Sequence, residues 1–112
     1  MSDFAEFIHR FPSLETAFTE EDVTIRAIAS DDGLVAFFHF HKDAVLPPHS
    51  HLGQWGTVID GEIELTIGDE TRTYRNGDTY DIPAGVVHSG VIKADTKAID
   101  VFEEGDRYPL KR

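Results

Sequence analysis

Five turn signals punctuate this chain, and the four within 60–85 leave pieces too short for anything but strands. The five are Asp31-Asp32-Gly33, Asp60-Gly61, Gly68-Asp69-Glu70, Asn76-Gly77-Asp78 and Pro83-Ala84-Gly85. Asp-Gly and Asn-Gly favour turns with positive φ, which reverse an extended chain within two residues. Around them lie runs rich in β-branched and aromatic residues, at 23–28, 34–41, 55–59, 62–67, 71–75, 79–82, 89–93 and 98–102. Many short strands at this spacing predict an all-β antiparallel sandwich or barrel. Nothing repeats internally, and no segment is low in complexity.

The strands differ in which faces are apolar. Glu62-Ile63-Glu64-Leu65-Thr66-Ile67 alternates, so one face is solvated. Leu34-Val35-Ala36-Phe37-Phe38 is apolar on both faces, which predicts a strand buried on both sides or lying in a subunit interface, and hence a homodimer. The alternative cover is the N-terminal segment. There Phe4, Phe7, Ile8 and Phe11 recur at helical spacing, with Asp3 and Glu6 near the start and Pro12 as a stop. A short amphipathic helix is expected, in an N-terminal extension 1–18 ahead of a barrel domain 19–112.

Composition removes several classes of function. The 112 residues suit one core, and eight Phe supply large side chains for it. A net charge of -11 disfavours nucleic acid, whose phosphates need a basic surface. No apolar run reaches the ~18 residues of a membrane span. The start, Met1-Ser2-Asp3-Phe4-Ala5-Glu6, lacks the basic and apolar stretches of a signal peptide, so a cytoplasmic location is expected. With no cysteine, a metal site must use imidazole, amide or carboxylate.

Imidazoles are present in a suggestive pattern. His49 and His51 are two apart, so on a strand they project from one face, and His88 can join them from a later strand. Three imidazoles with no thiolate suit one divalent transition metal such as Zn, Ni, Fe or Mn. Gln54 follows closely as a further polar side chain. His39 and His41 also share a face and read as a barrel-lining or surface pair; His9 lies on the expected helix, unrelated to the site.

At these residues the chain resembles the cupin superfamily of small double-stranded β-helix, jelly-roll-like barrels. The first cupin motif reads His-x-His, three or four residues, Glu, six residues, Gly. Here it is His49-Ser50-His51, two residues, Gln54, then six residues to Gly61. The second motif reads Gly, five residues, Pro-x-Gly, two residues, His, and Gly77, Pro83, Gly85 and His88 match it. Ile92 replaces its trailing Asn. The resemblance implies a single cupin barrel whose metal ligands are His49, His51 and His88. Gln54 is either the fourth ligand or an amide that hydrogen-bonds a ligand histidine. As a neutral ligand in place of Glu it would weaken metal binding and strengthen polarisation of a bound carbonyl.

Asp100-Val101-Phe102 sets a carboxylate and an aromatic ring on one face of the last expected strand, with Arg107 behind them. This resembles the C-terminal segment of the cupins that linearise unsaturated uronates in pectin and alginate breakdown. In those, an Asp-x-Phe and a nearby Arg complete a pocket beside a metal held by three His and a Gln. The family's arginine lies one residue nearer the Phe, and Glu103-Glu104-Gly105-Asp106 lacks its usual Pro. The resemblance makes Asp100 an acid/base group and Arg107 a carboxylate clamp. The plain alternative has Asp100 facing solvent and Arg107 paired with an acid. Phe102 and Tyr80 are the expected substrate contacts; packing is the other role open to Tyr80 and to Tyr74. Trp55 should point away from Gln54, to pack or to lie at an interface, and Glu103-Glu104 reads as solvated surface.

Together these features lead to a metal-dependent small-molecule enzyme of the cupin type. The expected reaction is isomerisation or tautomerisation of a sugar-acid-like or other carbonyl/enol substrate. The alternatives are an Fe(II)-dependent dioxygenase and a non-catalytic small-ligand binding or sensing barrel. The barrel nearly consumes the length, which leaves no DNA-binding segment for a one-component regulator.

Overall fold

The computed structural model describes residues 3–111; Met1 and Ser2, the start of the expected extension, and Arg112 lie outside the described residues. A five-residue 3-10 helix, Glu6–Arg10, comes first. The strands are β1 Ser13–Leu14, β2 Val23–Ser30, β3 Gly33–Phe40, β4 Ala44–His49, β5 Gln54–Asp60, β6 Glu62–Ile67, β7 Glu70–Arg75, β8 Thr79–Ile82, β9 His88–Ile92, β10 Thr96–Phe102 and β11 Leu110–Lys111. Two antiparallel sheets face each other, one of five strands in the order β2-β3-β10-β5-β8 and one of four in the order β4-β9-β6-β7, while β1 pairs with β11. The all-β expectation holds. None of the described helices is long and apolar enough to cross a membrane.

The alternation of each strand sorts its side chains. Leu34, Ala36, Phe38 and Phe40 of β3 point inward and meet Ile63 and Leu65 of β6 and Ile92 of β9 in the core. The outer face of β3 is apolar for two reasons. Phe4 and Phe11 cover Phe37, with ring centroids 5.6 and 6.2 Å away. Beside them Ile28, Val35, Val101 and Trp55 lie in register across β2, β3, β10 and β5, and of these Ile28, Val101 and Trp55 are exposed. The N-terminal segment thus covers part of this face through Phe4 and Phe11, and an apolar row beside it lies at the surface.

The N-terminal helix is smaller than the periodicity suggests. Only a single 3-10 turn forms, and it buries none of its residues. A segment stopped by Pro12 is too short to hold an isolated α-helix. Its flanking rings, Phe4 and Phe11, do the packing instead. Of the glycines in the five turn signals, Gly61, Gly68, Gly77 and Gly85 take positive φ (105°, 63°, 86° and 81°), while Gly33 does not.

Strand β4 is absent from the sequence expectation because it contains Pro47-Pro48. It runs along the edge of its sheet, where a missing N–H is tolerated. Its register with β9 steps from Leu46↔Gly90 to His49↔His88, so both prolines oppose the single Ser89. The extra residue is a β-bulge, and it reverses which face later side chains take. Leu46 and His49, three apart, therefore both point into the sandwich.

Candidate metal centre

The bulge sets His49 directly across from His88, the first residue of β9. His51 arrives differently from the way its spacing predicts. Strand β4 ends at His49, so His51 enters on the loop 50–53 and not through the two-residue period of a strand. The loop is tied in place: Gly85 N–H donates to the His51 carbonyl at 2.8 Å. The three rings converge, with centroids 4.2 Å apart for His49–His88, 4.7 Å for His51–His88 and 5.3 Å for His49–His51. One nitrogen from each lies within 4.8 Å of the others.

Hydrogen bonds decide which nitrogen is free. Nδ1 of His49 donates to the Pro47 carbonyl at 2.8 Å, that of His51 to Leu52 at 2.6 Å, and that of His88 to Val86 at 3.0 Å. A carbonyl can only accept, so each Nδ1 carries the proton and each Nε2 keeps its lone pair. The Nε2 atoms of His51 and His88 are buried and have no hydrogen-bond partner. Orphaned buried acceptors cost about 1–3 kcal/mol each. A divalent cation ~2.1 Å away satisfies both at once. Burial also holds the His51 and His88 imidazoles below their ordinary pKa, and the Arg107 charge and the His49 ring push the same way. Neutral rings with inward lone pairs fit a transition metal.

The opposite sheet supplies a carboxylate. Asp100, Gly56 and Tyr80 lie in one cross-strand row on β10, β5 and β8; Phe102, Gln54 and Ile82 form the next. Gln54 Nε2 donates to Asp100 Oδ1 at 2.9 Å, and Tyr80 Oη donates to the same oxygen at 2.7 Å. Asp100 and Tyr80 meet over Gly56, where a Cβ would overlap the carboxylate and the tyrosine ring. Only glycine leaves room for that bond. Asp100 is 5% exposed, so it does not face solvent. Burial pushes its carboxyl up to about 6, against the pull of the Tyr80 and Gln54 hydrogen bonds. Burial and the Asp100 charge hold the Tyr80 hydroxyl well above its usual range. Since only the amide nitrogen of Gln54 can donate to Asp100, its Oε1 is left for another partner.

A cavity of about 60 Å³ separates the two groups. His49, His88, Gln54 and Asp100 border it on the polar side, and Phe38, Phe40 and Leu46 on the apolar side. Phe102 lines it too, its ring centroid 5.8 Å from that of His51 and 5.9 Å from that of Tyr108. The Arg107 guanidinium lies 4.3 Å from the Tyr108 ring centroid, and its Nε is buried without a hydrogen-bond partner. No carboxylate pairs with it among the described residues. Tyr80 borders the cavity, while Tyr74 packs edge-on against its ring at 5.5 Å.

Other histidines lie elsewhere. His39 bonds Asp3 at 2.9 Å and His41 bonds Thr24 at 2.7 Å, with their rings 4.2 Å apart on the outside. His9 also reaches Asp3, at 3.3 Å. Trp55 points outward, 44% exposed. Sequence reasoning missed Tyr108, whose place in the cavity wall nothing but its neighbour Arg107 hinted at. It also read Glu103 and Glu104 as mere solvated surface. Both carboxylates bond the His51 loop: Glu104 accepts from Leu52 N–H at 2.8 Å and Glu103 from Gly53 N–H at 2.9 Å.

Comparison with known proteins agrees with this architecture. The family model of the cupin domain matches residues 36–102. KdgF from Halomonas sp. superimposes with a TM-score of 0.71 at 25% identity, over 100% of this chain and 96% of that one. An RmlC-like cupin from Shewanella frigidimarina NCIMB 400 gives 0.76 at 19% identity, over 95% of each chain. Oxalate decarboxylase from Bacillus subtilis, a protein with Mn(II) centres, gives 0.63 at 20% identity, over 84% of this chain and 32% of that one. At these identities the last two speak for the fold alone. No curated protein matches the sequence.

Proposed function

This chain belongs to the cupin domain family, and from that premise we propose that it is a metal-dependent small-molecule isomerase. His49, His51 and His88 hold one divalent transition metal through Nε2, with Gln54 Oε1 as fourth ligand. When bound, the metal supplies Lewis acidity toward a carbonyl or enolate oxygen. One observation carries the proposal: two converging imidazoles have buried nitrogens without partners, and one of them, His88, borders a small cavity that a buried carboxylate also lines.

Asp100 is the acid/base group. A carboxyl near 6 exchanges protons close to neutral pH, and the Tyr80 hydroxyl and Gln54 amide hold its Oδ1 in place. Arg107 binds the carboxylate of the substrate, since its buried Nε has no protein acceptor. Phe102 and Tyr80 wall the pocket. A sugar acid with an enol ether, such as an unsaturated uronate, fits these roles. Asp100 takes the hemiacetal hydroxyl proton, and the electrons left on that oxygen form a carbonyl as the ring C–O bond breaks toward the enol-ether oxygen. A proton is returned to the alkene carbon that bears no oxygen as the enolate becomes a ketone. Every proton removed is given back, so no co-reactant is needed. The Asp100-Val101-Phe102 segment and the full-length likeness to KdgF at 25% identity support this substrate class.

The test is NMR of metal-loaded protein with an unsaturated uronate in D₂O. Wild type should convert it and place deuterium on the enol carbon. Asp100→Ala should retain metal and lose at least about 100-fold in rate. An unchanged rate removes Asp100 from the mechanism, and no conversion by wild type leaves a ligand-binding barrel. Oxygen uptake by the iron-loaded form would favour the dioxygenase reading, since three imidazoles with open positions also suit Fe(II).

The protein acts as a homodimer joined through the outer row Ile28, Val35, Val101 and Trp55. An apolar row of this kind with a central tryptophan has the make-up of an interface core. Trp55→Lys should shift sedimentation from dimer to monomer without lowering Tm; a wild type that sediments as a monomer rejects the pairing.

A further inference from the structure

Two departures of this chain from the cupin pattern meet in space. The spacer between His51 and Gln54 is only Leu52-Gly53, and the segment Glu103-Glu104-Gly105-Asp106 after β10 lacks the Pro usual in the uronate-linearising cupins. Leu52 N–H is bound by Glu104 Oε1 at 2.8 Å, and Gly53 N–H by Glu103 Oε1 at 2.9 Å. Glu103 N–H in turn donates to the Gly53 carbonyl at 2.9 Å, and Gly85 N–H to that of His51 at 2.8 Å. The loop that carries one histidine and leads into Gln54 thus has its backbone groups bonded from two sides. At Gly53 the approach is close, because a Cβ there would stand 3.0 Å from Glu103 Oε1.

We propose that Glu103 and Glu104 are positioning residues of the metal centre, holding His51 and Gln54 in ligand geometry through the spacer amides. This rests on the metal centre proposed above. A short loop with a glycine and no regular structure samples many conformations, and each must be frozen out when His51 Nε2 meets a cation. Two charged acceptors fixed at the end of β10 remove that freedom beforehand. They act without touching the metal: each carboxylate ends on a backbone N–H. The same two residues open the segment that carries Arg107 and Tyr108, and Arg107 N–H donates to the Glu104 carbonyl at 3.2 Å. Ligand geometry and the carboxylate-binding arginine are therefore held by one short stretch of chain.

The experiment is zinc titration of the full-length apo protein against a competing chelator, with amide hydrogen exchange at Leu52 and Gly53. The double variant Glu103→Ala/Glu104→Ala should bind one zinc some 10–100-fold more weakly, the usual loss when a group supporting a ligand is removed. Its Leu52 and Gly53 amides should lose protection in the apo form. Glu103→Gln/Glu104→Gln keeps an acceptor oxygen at each position and should restore most of the affinity. Unchanged zinc affinity in the alanine variant overturns the assignment. So does a glutamine variant as weak as the alanine one, since charge and not positioning would then be at work. If the double alanine variant does not fold, Glu104→Ala alone is read by the same two criteria. A wild type that binds no zinc overturns the metal centre itself, an outcome distinct from equal affinities.

Discussion

Zinc, expected to bind the wild type at one equivalent, should be lost when His88 becomes alanine, with affinity falling by more than about 100-fold. His88 Nε2 is one of two buried imidazole nitrogens without a partner, so a cation there loses a ligand that no nearby group replaces. The apo protein should remain folded at a modest cost. Cutting a buried side chain to alanine ordinarily costs about 2–5 kcal/mol. Here removal of an unsatisfied acceptor worth about 1–3 kcal/mol offsets part of that, while the Nδ1 bond to the Val86 carbonyl is lost with the ring. A ligand at 1,000 times its Kd stabilises a folded protein by about 4 kcal/mol. Metal should therefore raise the Tm of wild type and leave that of His88→Ala in place. Elemental analysis beside thermal melts checks both halves. A variant that keeps its zinc would remove His88 from the ligand set, and one that unfolds without metal would make its role structural.

Asp100→Asn should make the apo protein more stable above pH 6 and flatten its stability against pH. The Asp100 carboxyl is pushed up to about 6 by burial, from the ordinary 3.8 it has when unfolded. A raised carboxyl disfavours the charged form in the folded state. Its contribution to stability is thus fully present below pH 3.8 and is lost as pH rises through 6. The cost at pH 8 is on the order of 3 kcal/mol, from about 1.4 kcal/mol for each unit. Asparagine cannot ionise, and its Oδ1 can still accept from both Tyr80 and Gln54. Urea unfolding of both forms at pH 5 and pH 8, with metal removed, reads the effect. If wild type is as stable at pH 8 as at pH 5 relative to the variant, Asp100 carries no such strain.

Much of this was legible in the chain itself. The Asp-Gly and Asn-Gly turns and the alternation of 62–67 come from local chemistry, which short strands obey. The three histidines were legible because the first motif sets His49 and His51 two apart and the second fixes Gly77, Pro83, Gly85 and His88 at set distances. What stayed hidden depends on residues far apart. Glu103 meets Gly53 across 50 positions, so nothing near either residue reveals the bond. Asp100 offers the same pattern whether buried or solvated, until Gly56 and Tyr80 are seen beside it. The short N-terminal helix was legible in its period but not in its type: it forms at Glu6–Arg10 as a 3-10 turn, because so short a segment is not held as an α-helix without packing.

The bulge at Pro47-Pro48 gives β4 two phases, one before the doubled proline and one after. A side chain's destination there is counted from the bulge, much as a codon is counted from a start. His49 owes its inward aim to that count. Were the same residues to pair without the bulge, Leu46 would stay inward and the same histidine would turn out to water, while the buried residues of the sheets stayed as they are. The aim of a histidine and the packing of the core are thus separable at one bulge, and a barrel of this kind can lose or regain a converging histidine set without changing a single residue of that set.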